Sequence, residues 1–278
     1  MKDPYRPDDG QPERPDNDPE NGHRRGLQRP KQHEPAFNVP SLLLIIVGVL
    51  AAIHLFVTMG PDEQAASLFL NMAFFPARLT TSPEVQAAFF YGPQWFGFGT
   101  LLTYGLLHGD WLHLGVNALW LITFGAPVVR RLGDARFVLL LAVGVLVGGL
   151  THLVIFWGSV SPLVGISAGV SAIMGGALRF VFDPRDRGMF IALRYPEIVG
   201  RRPLQPLRDL WSNPTVLMFA GMVIATNVVF GAVSMPGVAD GSSIAWQAHI
   251  GGFVAGFLAF PSIDPAAPSA PRSSGDRQ

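Results

Sequence analysis

The sequence predicts an all-α membrane protein, a bundle of six transmembrane helices with both termini in the cytosol, and three observations lead to this prediction. First, 49% of the 278 residues are hydrophobic and only 14% are charged, with a mean hydropathy of +0.32, which is too apolar for an ordinary soluble domain. Second, six apolar stretches are long enough, or nearly long enough, to cross a bilayer as helices. Third, nineteen of the twenty Lys and Arg residues fall on one side of those stretches.

The first 38 residues are predicted to be a disordered polar tail in the cytosol. They are rich in Pro, Asp, Glu, Arg, Gln and Asn, so they cannot bury a hydrophobic core. They also lack the apolar stretch that is typical of a secretory signal. The formal net charge of the chain is zero, so we expect no nucleic-acid partner, and the absence of cysteine excludes disulfides and thiolate metal sites.

A six-span domain is predicted over residues 39–262, followed by a polar tail over residues 263–278. The long connection over residues 60–110 is broken by Pro, Gly and a few charges, so we expect short interfacial or re-entrant elements there. Asp110 is a suitable N-cap for the second span, and Pro261 is expected to end the sixth. The predicted spans are residues 40–59, 111–129, 137–157, 167–182, 214–233 and 243–260.

The distribution of positive charge sets the orientation of these spans. Seven Lys and Arg precede the first span, three lie between the second and third, seven lie from Arg179 to Arg208, and two follow the sixth. Only Arg78 lies in a connection on the opposite side. By the positive-inside rule both termini are cytosolic, so the second, fourth and sixth spans begin near the outer face.

The fourth span begins with Gly165-Ile166-Ser167-Ala168-Gly169, which places a hydroxyl among small residues. From Ser167 onward the apolar segment has sixteen residues, about 24 Å as a helix, which is shorter than the roughly 30 Å hydrocarbon core. Ser167 is therefore expected at a recessed helix N-terminus, where free backbone N–H groups can stabilise an oxyanion. Two other interpretations are the nucleophile elbow of a soluble hydrolase, whose strand–turn–helix setting this sequence does not show, and simple close packing of small residues.

Polar residues also lie in the first half of the other two descending spans. His113 and Asn117 are spaced i,i+4 and so share one face of the second span. His249 lies in the sixth span, roughly 9 Å from its start, at a depth comparable with that of Ser167. Each side chain alone also has a structural explanation, an interhelical hydrogen bond for Asn117 and a packing histidine for His113 or His249, but their common depth favours one site. The chemistry then predicted is a Ser167–His249 dyad, with His249 as general base and with Asn117 and His113 donating to an oxyanion.

The remaining intramembrane signals are assigned to packing. Gly252 and Gly256 form a small-xxx-small face, so we expect the sixth span to approach the fourth closely. His54 stands alone in the first span, and we expect it to make a helix–helix hydrogen bond. No comparable set of polar residues accompanies His152 in the third span, so His152 is predicted to be structural.

These residues resemble the motifs of a known family, the rhomboid intramembrane serine proteases. The resemblance covers about residues 40–260, and the three motifs follow the order and the helices of that family. They are His113-x-x-x-Asn117, Gly165-x-Ser167, and Ala248-His249-x-Gly251-Gly252-x-x-x-Gly256.

The resemblance implies a rhomboid-like fold and a set of roles. Ser167 would be the nucleophile and His249 its base, while His113, Asn117 and the backbone N–H of Ser167 would form the oxyanion hole. The family cleaves transmembrane segments of other membrane proteins near the outer face and needs no metal or cofactor. The partners implied are transmembrane protein substrates and the lipid bilayer. We expect a multi-pass protein of a bacterial cytoplasmic membrane.

Two departures from the family pattern and one rival function accompany this resemblance. Ala168 stands where the family usually has Gly after the nucleophile, and we expect activity to survive because Ala is small. Gly99 and Thr100 stand where the family often has a Trp-Arg pair, so the anchoring of that loop is expected to differ. The rival is an inactive rhomboid relative that binds or escorts membrane proteins; such relatives typically lack the Ser or the His, and this chain keeps both. A transporter is disfavoured because no inverted repeat and no charged midplane site are evident.

Overall fold

The computed structural model describes residues 39–89, 96–182, 202–232 and 245–265 of the chain. All regular structure in these ranges is helical, and the described part adds one isolated antiparallel bridge between Phe74 and Leu163. The tails predicted over residues 1–38 and 263–278 lie outside the described residues, apart from residues 263–265. The helices are α1 (Ser41–Met59), α2 (Asp62–Met72), α3 (Ala77–Thr80), α4 (Pro83–Phe89), α5 (Phe96–Thr103), the 3-10 turn Tyr104–Leu106, α6 (Trp111–Leu132), α7 (Asp134–Ile155), α8 (Ser167–Ala177), α9 (Leu207–Trp211), α10 (Pro214–Ala232) and α11 (Trp246–Ile263).

Three of the described helices, α1, α6 and α7, are long and apolar enough to cross a membrane. α8 and the Pro214–Asn227 part of α10 are apolar but shorter. α8 ends at Ala177, five residues before the predicted end of the fourth span, and the chain then tightens into i→i+3 turns at Arg179 and Phe180. The predicted connection over residues 60–110 contains short helices in its described part, as the broken apolar pattern indicated.

The short helix α8 lies at the centre of the described bundle. Every residue from Ala168 to Phe182 is buried, and α8 packs against α6, α7 and α11. Eight of its eleven residues are Gly, Ala or Ser, so it has no bulky face to present to lipid and its neighbours can approach closely. Its first residue, Ser167, is thereby held among three other helices.

Backbone contacts bring α8 and α11 together. A Cβ added at Gly252 would overlap with the carbonyl oxygen of Ala168, and a Cβ added at Gly256 would overlap with the carbonyl oxygen of Ala172. The two helices therefore touch along the glycine face with no room for a methyl group. The close approach predicted from the small-xxx-small spacing is confirmed.

The sequence predicted that the sixth span ends at Pro261, and this prediction is wrong. Helix α11 continues to Ile263 and contains the proline. A proline has no N–H, so the carbonyl oxygen of Phe257 loses its helical donor. Arg179 supplies a replacement: its Nη1 donates to that oxygen at 3.3 Å, and its guanidinium lies 5.1 Å from the centre of the Phe257 ring. A cation from the chain after α8 thus satisfies the carbonyl that the proline leaves free.

A buried ion pair joins the end of α6 to the end of α11. Arg131 donates from Nε to Asp264 Oδ1 at 3.0 Å and from Nη2 to Oδ2 at 2.6 Å, while its Nη1 donates to the carbonyl oxygen of Arg202. Both charged side chains are almost fully buried, with exposed fractions of 1% and 0%. The guanidinium also lies 4.6 Å from the centre of the Phe180 ring. From the sequence, Arg131 was predicted only to be one of the cytosolic charges. In the structure its ion pair links the ends of two helices.

We expect Asp264→Asn to lower the free energy of unfolding by about 3–5 kcal/mol, because it leaves the guanidinium of Arg131 buried without its counter-charge. Thermal unfolding of the purified protein in detergent measures the loss. The matched control is Asp209→Asn, since Asp209 pairs with Arg208 at 3.2 Å on the surface and both side chains are exposed. An exposed pair of that kind contributes about 0–1 kcal/mol. Equal melting temperatures for the two variants would contradict a stabilising role for the buried pair.

Candidate active site

The approach to α8 is fixed by backbone hydrogen bonds to two other segments. Phe74 and Leu163 exchange a pair of N–H to carbonyl bonds at 3.1 and 2.8 Å, and the N–H of Gly165 donates to the carbonyl oxygen of Tyr104 at 3.0 Å. The first helical bond of α8 runs from Val170 to Ile166, so the N–H groups of the three residues from Ser167 onward have no partner within the helix. Ser167 therefore begins the helix beside a cluster of backbone donors and the positive end of the helix dipole.

Gly165 has a backbone conformation and a neighbour that both require glycine. Its φ of +117° is disfavoured for any residue with a Cβ. A Cβ at this position would also lie 2.9 Å from Cε1 and Nε2 of His113 and 3.5 Å from Oγ of Ser167. The His113 ring thus packs directly on the glycine, close to the hydroxyl of Ser167.

His249 meets Ser167 across the contact between α8 and α11. The Nε2 atom of His249 lies 2.6 Å from Oγ of Ser167, which is hydrogen-bond distance, although 82 residues separate them in the chain. Both side chains lie in the first turn of their helices, Ser167 at the start of α8 and His249 four residues into α11. The structure therefore brings together the two residues that the sequence predicted as nucleophile and base.

The other ring nitrogen of His249 faces a residue that the sequence analysis did not select. Nδ1 of His249 lies 2.5 Å from Oδ1 of Asn227 on α10, and Nδ2 of Asn227 donates to the carbonyl oxygen of Val223 at 2.8 Å. A signal was available, because an Asn inside an apolar span is costly and tends to be functional. The pattern of polar residues at the start of the descending helices does not include Asn227, because it lies near the end of a helix predicted to run in the opposite direction.

His113 presents its Nε2 side toward the start of α8. The backbone N–H of Gly109 donates to Nδ1 of His113 at 3.4 Å, so in the neutral ring the proton is on Nε2, the atom that lies against Gly165. The backbone N–H of His113 donates to Oδ1 of Asp110 at 2.7 Å, and this bond caps α6 as predicted. The ring therefore directs an N–H donor at the region beside the Ser167 hydroxyl.

Asn117 follows His113 by one turn on α6, the helix that packs against α8. Its side chain is buried, and its Nδ2 has no hydrogen-bond partner among the described residues. A buried amide donor without a partner costs about 1–3 kcal/mol. Such a donor fits a site where an acceptor arrives only with a ligand.

The remaining described histidines near these helices do not form hydrogen bonds to other helices. His54 is buried, and neither ring nitrogen has a partner in the described part of the chain, so the helix–helix hydrogen bond predicted for it is wrong. Its ring packs edge-on against Trp111, with centroids 4.5 Å apart. His152 is likewise buried without a described partner and packs on Phe156, as a structural residue would.

The methyl group of Ala168 is accommodated by a glycine on the neighbouring helix. A Cβ added at Gly148 on α7 would overlap with the Cβ of Ala168, so the absence of a side chain there makes room for it. The residue after the serine is therefore larger than the family pattern predicts, and the facing residue is correspondingly small. This packing supports the expectation that Ala168 is tolerated.

Comparison with known protein families places the chain in one of them. The sequence model of the Rhomboid domain matches residues 94–262 of the chain. No curated protein matches it. The matched segment runs from just before α5 to the penultimate residue of α11, and it includes Ser167, His249, His113, Asn117 and Asn227.

Proposed function

Because the chain belongs to the rhomboid family, whose members are integral membrane proteins, we propose that it is an intramembrane serine endopeptidase. It cleaves transmembrane segments of other membrane proteins near the outer face of the bilayer. The observation that carries this proposal is the 2.6 Å distance between Oγ of Ser167 and Nε2 of His249. A nucleophile and a base at hydrogen-bond distance, beside free helix N-terminal N–H groups, are the elements that acyl transfer requires.

The reaction proceeds in two steps through an acyl-enzyme. In the first, Oγ of Ser167 attacks the scissile carbonyl carbon while Nε2 of His249 takes the hydroxyl proton. The tetrahedral intermediate collapses, the C–N bond breaks, and His249 returns the proton to the leaving amine. In the second step a water molecule loses its proton to His249 and attacks the ester, and the proton passes back to Oγ of Ser167 as the new carboxyl group leaves.

The negative charge of each tetrahedral intermediate develops on the substrate oxygen. We assign three donors to it: the Nε2–H of His113, the amide of Asn117 and the backbone N–H of Ser167. In a site shielded from water, such donors stabilise charge that exists only in the transition state. The unpartnered amide of Asn117 and the orientation of the His113 ring support this assignment.

The topology belongs to the same proposal. Helices α1, α6, α7, α8, α10 and α11 are the six spans, and both termini are cytosolic because nineteen of twenty Lys and Arg lie on that side. Residues 39–262 form the protease domain between two polar tails, in a bacterial cytoplasmic membrane. Ser167 then faces the outer leaflet, where a substrate helix and water can both reach it.

Labelling of the purified, folded protein with a fluorophosphonate, a probe that reacts with activated serines, tests the proposal. We expect stoichiometric labelling, together with cleavage of a reconstituted transmembrane substrate that carries small residues at the cut and helix-weakening residues nearby. A folded protein that neither labels nor cleaves would instead be an inactive relative that binds or escorts membrane proteins.

We expect Asn117→Ala to lower kcat by roughly 10-fold or more with little change in KM, because the lost donor acts only on the transition state. Loss of a single oxyanion donor typically costs on the order of 100- to 1000-fold, and His113 with the Ser167 N–H compensates in part. Val116→Ala is the control, since Val116 is the exposed neighbour on the same helix. A lower melting temperature with unchanged kcat per folded molecule would assign Asn117 to packing alone.

A further inference from the structure

We propose that Asn227 is a positioning residue for the reaction, one that holds His249 in the tautomer and orientation that allow it to accept the proton of Ser167. The inference rests on the proposed protease function and adds a third member to the Ser167–His249 pair, on a helix that carries neither of them. It concerns the contact of Nδ1 of His249, the ring nitrogen that faces away from Ser167.

The amide of Asn227 is fixed before it meets the histidine. Its Nδ2 donates at 2.8 Å to the carbonyl oxygen of Val223, one turn earlier on α10. With the NH2 end of the amide directed at that carbonyl, the oxygen end is directed at His249, where Oδ1 lies 2.5 Å from Nδ1. Reversing the amide would lose the bond to Val223 and place Oδ1 against the Val223 carbonyl oxygen, so that two acceptors would face each other.

This fixed oxygen determines which nitrogen of His249 carries the proton. An amide oxygen only accepts, so a hydrogen bond between it and Nδ1 requires a proton on Nδ1. In the neutral ring the other nitrogen, Nε2, then has a free lone pair, and Nε2 is the atom that lies 2.6 Å from Oγ of Ser167. The opposite tautomer would direct an N–H at the serine and could not take its proton.

A neutral amide occupies a position that serine proteases often give to a carboxylate. Asp110 caps α6 and Asp264 pairs with Arg131, so neither of these carboxylates serves His249. Asn227 supplies the tautomer and the ring orientation, which are the two services of the carboxylate in a triad that do not need a charge. It also makes the base dependent on the position of α10, because the acceptor oxygen reaches His249 from that helix.

The test uses Asn227→Leu, which keeps a side chain of similar size but removes the acceptor, and Asn227→Asp, which restores an acceptor oxygen. Two quantities are measured on each folded protein. One is the rate of fluorophosphonate labelling, and the other is the 15N chemical shift of the ring nitrogens in 15N-histidine protein, which separates protonated from bare nitrogens. His249→Ala identifies the His249 signals among the seven histidines. Thr226→Ala, on the exposed neighbour of Asn227, is the matched control.

We expect the wild type to carry its proton on Nδ1 of His249, and Asn227→Leu to lose that single tautomer and to label roughly 10- to 100-fold more slowly. Asn227→Asp should keep the Nδ1 proton and label within about 10-fold of the wild type, while Thr226→Ala changes neither quantity. An unchanged His249 spectrum or an unchanged labelling rate in Asn227→Leu overturns the proposal, as does a wild-type spectrum with the proton on Nε2. Should Asn227→Leu fail to fold, loss of the Nδ1 signal in Asn227→Asp overturns it. A wild type that shows the Nδ1 tautomer but does not label would count against the protease function and leave the hydrogen bond in place.

Discussion

Replacing Ser167 by alanine is expected to abolish fluorophosphonate labelling and substrate cleavage while leaving the melting temperature within a few degrees of the wild type. Removal of the nucleophile from a serine protease costs on the order of 10⁶-fold in kcat, which puts the residual rate below detection. The fold should survive, because Ser167 begins α8 and the change removes one hydroxyl from a site where backbone N–H groups remain free. Gel-based labelling and a thermal melt on one preparation measure both quantities.

Ser171 provides the matched control for this experiment. It lies one helical turn further along α8 and is buried, so it is the nearest hydroxyl on the same helix. We expect Ser171→Ala to label and cleave like the wild type. Labelling that persists in Ser167→Ala and disappears in Ser171→Ala would contradict the proposal, because the nucleophile would then be Ser171.

The second large effect is expected for His249→Ala, which should reduce labelling and cleavage by several orders of magnitude, again with the fold intact. Without Nε2 at 2.6 Å, the Ser167 hydroxyl has no base to receive its proton. In serine proteases the loss of the histidine costs about as much as the loss of the nucleophile, because the two act as a unit. The double variant Ser167→Ala with His249→Ala should therefore be no less active than either single variant.

His152→Ala is the control for His249→Ala, since His152 is also a buried histidine but packs on Phe156. It should keep the wild-type labelling rate. The outcome that contradicts the assignment is loss of all reactivity in His113→Ala with reactivity kept in His249→Ala, because the general base would then be the histidine on α6.

The sequence selected Ser167 and His249, which the structure brings to hydrogen-bond distance, from intramembrane polarity combined with predicted helix direction. Ser167 and His249 are predicted to lie at similar depth on helices of the same direction, and a polar group in an apolar span is a strong signal. Asn227 carried the same signal on a helix predicted to run in the opposite direction, where the depth must be counted from the far end. Depth relative to the membrane, rather than position within the helix, is therefore the quantity to compare between spans.

Other features depended on contacts that no sequence pattern specifies. The hydrogen bond expected for His54 failed because the facing residue is Trp111, whose ring packs against it edge-on. The helical end at Ile263 depends on Arg179, which donates to a carbonyl 78 residues away in the chain and so lets the helix continue through Pro261. Local rules for helix ends assume that freed backbone groups find only water or near neighbours, and here a distant cation takes that role.

The glycine contacts between α8 and α11 have a consequence for how an active member of this family is recognised from sequence. The backbones of the two helices touch at Gly252 and Gly256, on the helix that carries His249 and against the helix that begins with Ser167. A related chain with valine at the position of Gly252 would retain both reactive groups in its sequence, yet its helices would stand too far apart for the proton to pass. Under the proposed function, presence of the serine and the histidine is thus necessary but not sufficient evidence of proteolysis, and the two glycines are part of the evidence to look for.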